Sequence, residues 1–493
     1  MSQTKRTISI IGGGITGLAA AYRAQTLLPD FNIILIESSD RLGGVLQSEQ
    51  VDGYVIEKSA DMFTTDPPDA LRLCETLGIA DDIITTTPTK DRAFVATSDS
   101  IHPVPRGFSL MSPGDLDAIS KTPLLDDAAK QRFFKEQNVE ASDWSVDESL
   151  ESFAVRRFGK STFDHLIQPL VSGIYTADPK KLSMKATMAR FVDMELTHRS
   201  LIRAAANSKQ ATTDREASGA RYGLFRAPKQ GIGALVERLE QAISNVDIQT
   251  NTRVDSISKT GENWSIKIHQ VDSGSGPLAA ESPSAKSASA ESPSELSVDA
   301  VLLATPARVS AHLLRSVDDS LGQALSTIEA ASSAIVVLGI DQSQLSKTFD
   351  GYGIIVPSIL NRNVIATSFS SNKFSGRAPE GKHLIRCFIG GAMQSDLVDL
   401  TDEQLVDIAT GELNATLGFS GSPEMSRVYR WRNAMPQYHL GHLDRVDDID
   451  SMVATHPGLE LAGNSYRGVG IPACIKSGTD AIDRIMETFP VDG

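Results

Sequence analysis

Cysteine is scarce in this chain, and basic charge is outweighed by acidic. Cys74, Cys387 and Cys474 are the only three cysteines in 493 residues and stand far apart with no C-x-x-C spacing. Neither a disulfide framework nor a metal knuckle is indicated, and no metal site is expected. The three read as core thiols of a reducing compartment. Lysine and arginine number 47 against 62 aspartates and glutamates, a formal net charge of −15. That balance argues against nucleic acid as a partner and against nonspecific attraction to anionic membrane, and an anionic substrate would need a locally basic pocket. No apolar run approaches the roughly 18 residues that cross a bilayer. The first strand-like run begins at Thr7, which leaves no room for a signal peptide. The expectation is a cytoplasmic protein, with peripheral membrane contact through an amphipathic helix left open. The length exceeds what one core usually supports, and apolar residues make up 41%, so two or three domains are expected.

What the chain does have is glycine at spaced positions. An apolar strand from Thr7 to Ile11 turns through Gly12, Gly13, Gly14, Ile15, Thr16 and Gly17 into Leu18-Ala19-Ala20-Ala21. Gly12, Gly14 and Gly17 fit G-x-G-x-x-G, in which one glycine makes the turn, one lets backbone approach a pyrophosphate, and one packs helix on strand. The pyrophosphate then lies on unpaired N–H groups at the positive end of the helix dipole. Phe31 to Ile36 reads as a second buried strand ending at Glu37, 20 residues beyond Gly17, the spacing of a ribose-binding acid. A carboxylate there accepts ribose hydroxyls and repels a 2′-phosphate, which disfavours NADP. The competing reading is a glycine-rich turn that merely opens an ordinary helix. Arg41 follows at once with a fixed fork of donors, and Gly43 and Gly44 permit close backbone approach.

Further along, Gly53–Glu57 reads as a strand and Asp69–Leu77 as a helix closed by Gly78. Residues 115–191 read as mostly helical, including Leu150–Phe158 stopped by Gly159, and Phe163–Val171. Residues 207–221 read as a mobile loop. Gly231-Ile232-Gly233 opens a helix but lacks a preceding buried strand, so it is taken as a turn and not a second phosphate cradle. A reductase using NAD(P)H would want a second complete nucleotide-binding unit; an oxidase would not. Strands follow at 246–254, 264–271 and 298–305 around a serine- and alanine-rich insert, 272–297, read as disordered. Four strand-like runs at 334–340, 353–356, 364–369 and 384–389 suggest a meandering sheet. A glycine-rich strand-to-helix turn at 459–472 offers a second seat for a cofactor. The fold class is α/β plus α+β. A Rossmann-like cofactor domain is expected over 1–88, 228–306 and 455–493, a helical subdomain over 89–227, and a mixed-sheet substrate domain over 307–454.

The run Glu37-Ser38-Ser39-Asp40-Arg41-Leu42-Gly43-Gly44 resembles the flavoprotein family of amine oxidases and protoporphyrinogen oxidases, in which E-x-x-x-R-x-G-G marks FAD. Four further stretches narrow the resemblance to the protoporphyrinogen and coproporphyrinogen III oxidase family. They are Ala462-Gly463-Asn464-Ser465-Tyr466-Arg467-Gly468-Val469-Gly470-Ile471-Pro472-Ala473-Cys474-Ile475, Gly351 to Pro357, Val171 to Pro179, and Tyr429 to Tyr438. The resemblance implies FAD contacts at Gly12 to Gly17, Glu37, Ser38, Arg41, Gly43, Gly44, Ser59, Ala60, Asp61, Met62, Val254, Trp431, Val469, Gly470 and Ile471. Ser59-Ala60-Asp61-Met62 departs from the glycine- and proline-rich form usual there. It also implies a porphyrinogen site with Arg106 for a propionate, Ile355 and Phe388 sandwiching the rings, Gly173 letting backbone lie close, and Tyr352 and Gly353 beside them. The implied reaction removes six electrons in three two-electron steps, with hydride passing to flavin N5, dioxygen as acceptor and hydrogen peroxide as product. This is a step of haem biosynthesis, so other enzymes of that pathway are candidate partners. No side chain is assigned as catalytic, and His102, His198, His439 and His442 are not promoted to that role. Protoporphyrinogen IX and coproporphyrinogen III both remain open as substrate. A flavin amine oxidase on the same fold is the enzymatic rival. A non-catalytic flavoprotein that carries a tetrapyrrole is the rival of another class.

Overall fold

The computed structural model describes residues 5–88, 93–207, 222–271 and 294–489. The loop expected over 207–221 and the insert expected over 272–297 lie largely outside these residues. Where they overlap, Asn207 ends the helix Leu201–Asn207, and Ser294–Val298 is a strand. The insert was therefore drawn four residues too long at its end. Ser294 to Val298 alternates exposed polar with inward apolar residues and completes an antiparallel sheet on Asn263–Gln270, Leu296 opposite Ile266.

β1 (Thr7–Ile11) has branched apolar side chains at three of its five positions and is buried from Ile8 onward. It pairs in parallel with β2 (Asn32–Ile36) on one side and with Ala300–Leu303 on the other. Asp247–Gln249 and Leu459–Leu461 complete a five-stranded parallel sheet. Strands covered on both faces need unbroken apolar runs, which is why these read so clearly in sequence. One face carries α1 (Ile15–Leu27), Gly233–Ala242 and Ile471–Thr488, with Leu18, Leu235 and Ile482 packed on Ile10, Leu35 and Leu302. The other face packs Val301 and Leu303 against Trp264, Ala311, Leu321, Leu325, Val446 and Ile449. The helices Ala307–Leu314, Asp319–Ser326 and His442–Val453, counted by sequence with the substrate domain, thus lie on the cofactor-side sheet.

A second sheet runs in the order Met425–Pro436, Ala330–Asp341, Lys382–Gly390, Val364–Phe369, Gly353–Ile355, Ala93–Ala96, Ile101–Pro103. The four expected runs form its middle. Its last two strands come from residues the sequence reading gave to the helical segment. One face is covered by the helix Asp402–Leu417, through Leu405, Ala409 and Leu413 on Val336, Leu338, Ile385 and Cys387. The other face shows Ile335, Val337, Phe388 and Trp431 to Tyr54 and Ile56.

The helical layer includes Leu150–Phe158, capped by the Ser149 hydroxyl and closed by Gly159 at φ 91°. The single helix expected over 163–171 is instead a π turn, Phe163–Ile167, followed by the α-helix Gln168–Tyr175. Pro169 has no N–H to donate back along the helix, and the chain widens just ahead of it. Inside this layer Arg157 is fully buried between Glu136 and Glu195, and Trp144 Nε1 donates to Glu195 at 2.9 Å.

The turn at 231–233 does follow a short strand, Phe225–Pro228, contrary to the sequence reading. Its helix N-terminus is nevertheless taken by the protein itself. Ile232 N–H donates to the Glu57 carboxylate and Gly233 N–H to Ser48 Oγ, each at 2.9 Å. All three cysteines are buried and free, and burial pushes the Cys74 and Cys474 thiols up to about 12, so neither is a reactive thiolate. Among the described residues no helix is long and apolar enough to cross a membrane.

Candidate active site

Two glycine turns meet at the end of β1. Gly12 has φ 108°, and a Cβ there would stand 2.5 Å from Ala304 O; a Cβ on Gly17 would stand 1.9 Å from Gly12 O. These two glycines hold helix, turn and neighbouring strand at a separation no side chain permits. Gly14 caps α1 with extended backbone, without a side-chain cap bond and with no acid in the first turn. A Cβ on Gly14 would meet nothing within 4 Å. The first-turn N–H groups therefore face open ground, which fits a phosphate.

Glu37, 8% exposed, closes one side of this ground. Its Oε2 accepts Gly13 N–H at 2.8 Å, and its Oε1 accepts Ser39 N–H at 2.8 Å and Ser39 Oγ–H at 2.9 Å. Ser38 is half-buried beside it, its Oγ 3.3 Å from the same Oε1. Arg41 spends its fork on backbone, with Nη1 donating to Leu42 O at 3.0 Å and Nη2 to Gly44 O at 2.7 Å. It clamps the Gly43–Gly44 turn, and Gly43 N–H donates to Gly13 O at 2.8 Å, tying the two turns together. Thr252 N–H donates to Glu37 O at 2.9 Å, which brings the strand Thr252–Thr260 and half-buried Val254 to the same edge.

The segment Ser59 to Met62 leads from the strand Tyr54–Glu57 toward this edge. Trp431 Nε1 donates to Lys58 O at 2.7 Å, and Ser59 Oγ–H donates to Val45 O. Asp61 is buried and turned away into an ion cluster with Lys373 and Arg386. Burial alone would raise its carboxyl, but those two cations outweigh it and hold it well below the usual carboxylate range. Only the backbone of 59–62, with Ala60 and Met62, is left to face a ligand.

A second uncapped helix N-terminus lies opposite. Gly470 caps Ile471–Thr488 without a side-chain bond, Pro472 stands in the first turn, and a Cβ on Gly470 would meet only Pro472, at 3.7 Å. Gly478 seats this helix on α1, its missing Cβ replaced by Thr16 O at 2.3 Å. Tyr438 holds the connecting loop. Its hydroxyl donates to Asn464 O at 2.6 Å and accepts Gly468 N–H at 2.7 Å. His442 Nε2 donates to Tyr466 O at 2.7 Å, and burial pushes its pKa down to about 4, so it stands as a neutral structural ring.

The residues expected at the substrate divide. Ile355 lies opposite Ala366, and Ala366 opposite Phe388, so Ile355 and Phe388 flank Ala366 in one row on one sheet face. Gly173 is exposed with open space where a Cβ would stand. Between its helix and the ends of these strands opens a small, mostly apolar pocket lined by Gln168, Ser172, Thr176, Val356, Ile365 and Gln394. Arg106 is exposed. Tyr352 is 1% exposed with its hydroxyl on Thr87 O, and a Cβ on Gly353 would stand 2.3 Å from Thr367 O. Those two are built into the sheet and do not reach its open wall. Sequence reasoning missed Lys373, Arg386, Tyr438 and Gly478. For Arg386 a signal existed, a charged residue inside the apolar run Leu384-Ile385-Arg386-Cys387-Phe388-Ile389.

The family model for flavin-containing amine oxidoreductases matches residues 15–486. The chain is 30% identical to the coproporphyrinogen III oxidase of Bacillus subtilis (strain 168), over 98% of each chain. It is 26% identical to protoporphyrinogen oxidase 2 of Arabidopsis thaliana, over 98% of this chain and 94% of that one. A crystal structure from Exiguobacterium sp. 255-15, of a protein provisionally named protoporphyrinogen oxidase, superposes with TM-score 0.83 at 28% identity, over 98% and 99% of the two chains. Cyclohexylamine oxidase of Brevibacterium oxydans IH-35A superposes with TM-score 0.67 at 13% identity over 98% and 99%, a likeness of fold alone.

Proposed function

Since this chain belongs to the flavin-containing amine oxidoreductase family, we propose that it binds FAD and oxidises a porphyrinogen, coproporphyrinogen III foremost, to the porphyrin with dioxygen as acceptor. The observation that carries this reading is the likeness to the Bacillus subtilis coproporphyrinogen III oxidase over 98% of both chains. The geometry supports it with two uncapped helix N-termini beside an apolar sheet wall.

Bound FAD supplies a hydride acceptor and returns the electrons to dioxygen. The chain's own residues bind and orient. The N-terminus of α1 takes the pyrophosphate, and Glu37 offers its remaining lone pair to the ribose. The Ile471–Thr488 N-terminus and Trp431 serve the flavin end, and Val254 the adenine through backbone. Ile355 and Phe388 hold the macrocycle against the flavin and keep water from it, Gly173 gives the ring room, and Arg106 meets a propionate. No side chain is given the part of a base.

The test is porphyrin fluorescence growth in air from FAD-loaded protein given coproporphyrinogen III and protoporphyrinogen IX in parallel, corrected for autoxidation. The expected result is an enzyme-dependent rise, faster with coproporphyrinogen III. No rise with either, together with amine-dependent oxygen uptake, would move the chain to the amine oxidases. Bound flavin that porphyrinogen never bleaches without air would make it a carrier.

A further inference from the structure

Two buried cations share one buried carboxylate between the segment 59–62 and the Phe388 face of the sheet. Lys373 Nζ lies 2.9 Å and Arg386 Nη1 3.2 Å from Asp61 Oδ2, with side-chain exposures of 7%, 2% and 9% for Lys373, Arg386 and Asp61. Arg386 also donates to Ser59 O and lies 5.1 Å over the Phe388 ring. Its cross-strand neighbour is Ser368, in the row next to Ile355, Ala366 and Phe388. The adjacent pair, Arg377 and Glu57 at 3.6 Å, balances itself. Among the described residues neither Lys373 nor Arg386 is ion-paired with a second carboxylate. The cluster therefore keeps one buried positive charge in excess. Arg386 Nε and Ser368 Oγ are both buried with no hydrogen-bond partner. An uncompensated buried cation is costly unless an anion faces it.

We propose that Lys373 and Arg386, held on Asp61, are positioning residues whose surplus charge favours the reduced, anionic form of flavin lying on Ser59–Met62 and so raises its reduction potential. Taking up two electrons and one proton gives oxidised flavin one negative charge, which the surplus charge of the cluster would offset through the 59–62 backbone. In turnover the electrons and proton leave the porphyrinogen as hydride, and dioxygen later takes the electrons with two protons as hydrogen peroxide. Arg386 acts at both ends of the seam, fixing Ser59 by its carbonyl and reaching over Phe388 on the wall given to the macrocycle. The inference rests on the reading that FAD binds along 59–62.

The experiment is an anaerobic spectroelectrochemical titration of the bound flavin in purified FAD-loaded protein, comparing wild type with Lys373→Met, Lys373→Arg and Asp61→Asn. Lys373→Met removes the surplus charge while leaving the Arg386–Asp61 pair, and should shift the reduction equilibrium at least tenfold toward the oxidised form, about 30 mV lower for a two-electron couple. Asp61→Asn adds net positive charge and should shift the potential upward. Lys373→Arg should restore the wild-type value. A purely structural role would not produce shifts of opposite sign. Equal potentials for wild type and Lys373→Met, or the same direction for Lys373→Met and Asp61→Asn, would overturn the inference. If Asp61→Asn does not hold flavin, the Lys373→Met and Lys373→Arg pair decides alone. A wild-type protein that binds no flavin refutes the FAD reading itself, whereas flavin-loaded protein with unmoved potentials refutes only the charge assignment.

Discussion

Glu37 is the acid on which the cofactor reading depends most directly. A carboxylate offers about four lone-pair directions. Gly13 N–H takes one direction of Oε2, while Ser39 N–H, Ser39 Oγ–H and Ser38 Oγ–H converge on Oε1, which leaves the second lone pair of Oε2 for a ribose hydroxyl. In Glu37→Gln one oxygen becomes an NH2 group that must face a donor, either Gly13 N–H or the Ser39 pair. The variant loses a charge-assisted bond to the ribose and loosens the glycine turn at Gly13. A hydrogen bond to a charged group nets about 1.5–3 kcal/mol, roughly a tenfold to 150-fold weaker FAD dissociation constant. The assay is quenching of flavin fluorescence on titrating FAD into apoprotein, with the thermal midpoint of each apoprotein as control. Binding within twofold of wild type in Glu37→Gln and in Glu37→Ala would refute the reasoning and leave this glycine turn without its ribose contact.

Four other outcomes are expected. Gly17→Ala puts a Cβ against backbone that cannot yield, so it should cost about 1–3 kcal/mol and abolish flavin retention, read by urea midpoint and by the 450 nm band of the purified protein. Arg106→Ala should leave flavin content unchanged and raise the apparent KM for porphyrinogen with kcat little altered; loss of flavin instead would refute its placement at the substrate. Glu136→Gln leaves Arg157 buried with one anionic partner in place of two and should destabilise the helical layer by about 1.5–3 kcal/mol, read as faster amide exchange in 150–207. His442 stays neutral in the folded protein with a pKa near 4, while its unfolded value is near 6.5, so the unfolded chain binds the proton first. Its stability contribution is complete above pH 6.5 and is lost as pH falls toward 4, and His442→Gln should flatten that part of the urea-midpoint profile.

Local grammar carried far in this chain because its parts are local. The β1 turn, α1 and Glu37 lie within 31 residues, and their roles follow from positive φ, close packing and a fixed spacing, all visible as residue types. The buried strands of the first sheet and the four middle strands of the second announced themselves by apolar runs, whereas buried Ala93–Ala96 did not, and the cysteines announced themselves by their isolation. The helix expected over 163–171 is there, but its widening to a π turn before Pro169 left no mark in an apolar pattern that continues through it.

Sequence by itself determined the glycine-rich strand, turn and helix from Thr7 to Leu27, the acid that follows them and most of the apolar strands, since short-range sterics and periodicity decide those. Only the tertiary structure decided which distant segments meet. It placed Ala93–Ala96 beside Gly353–Ile355, Glu57 at the helix N-terminus of Gly233, and Asp61 between Lys373 and Arg386, more than 300 residues away. Such pairings depend on long-range strand order and on the cost of burying unpaired charge, and neither leaves a pattern in neighbouring residues.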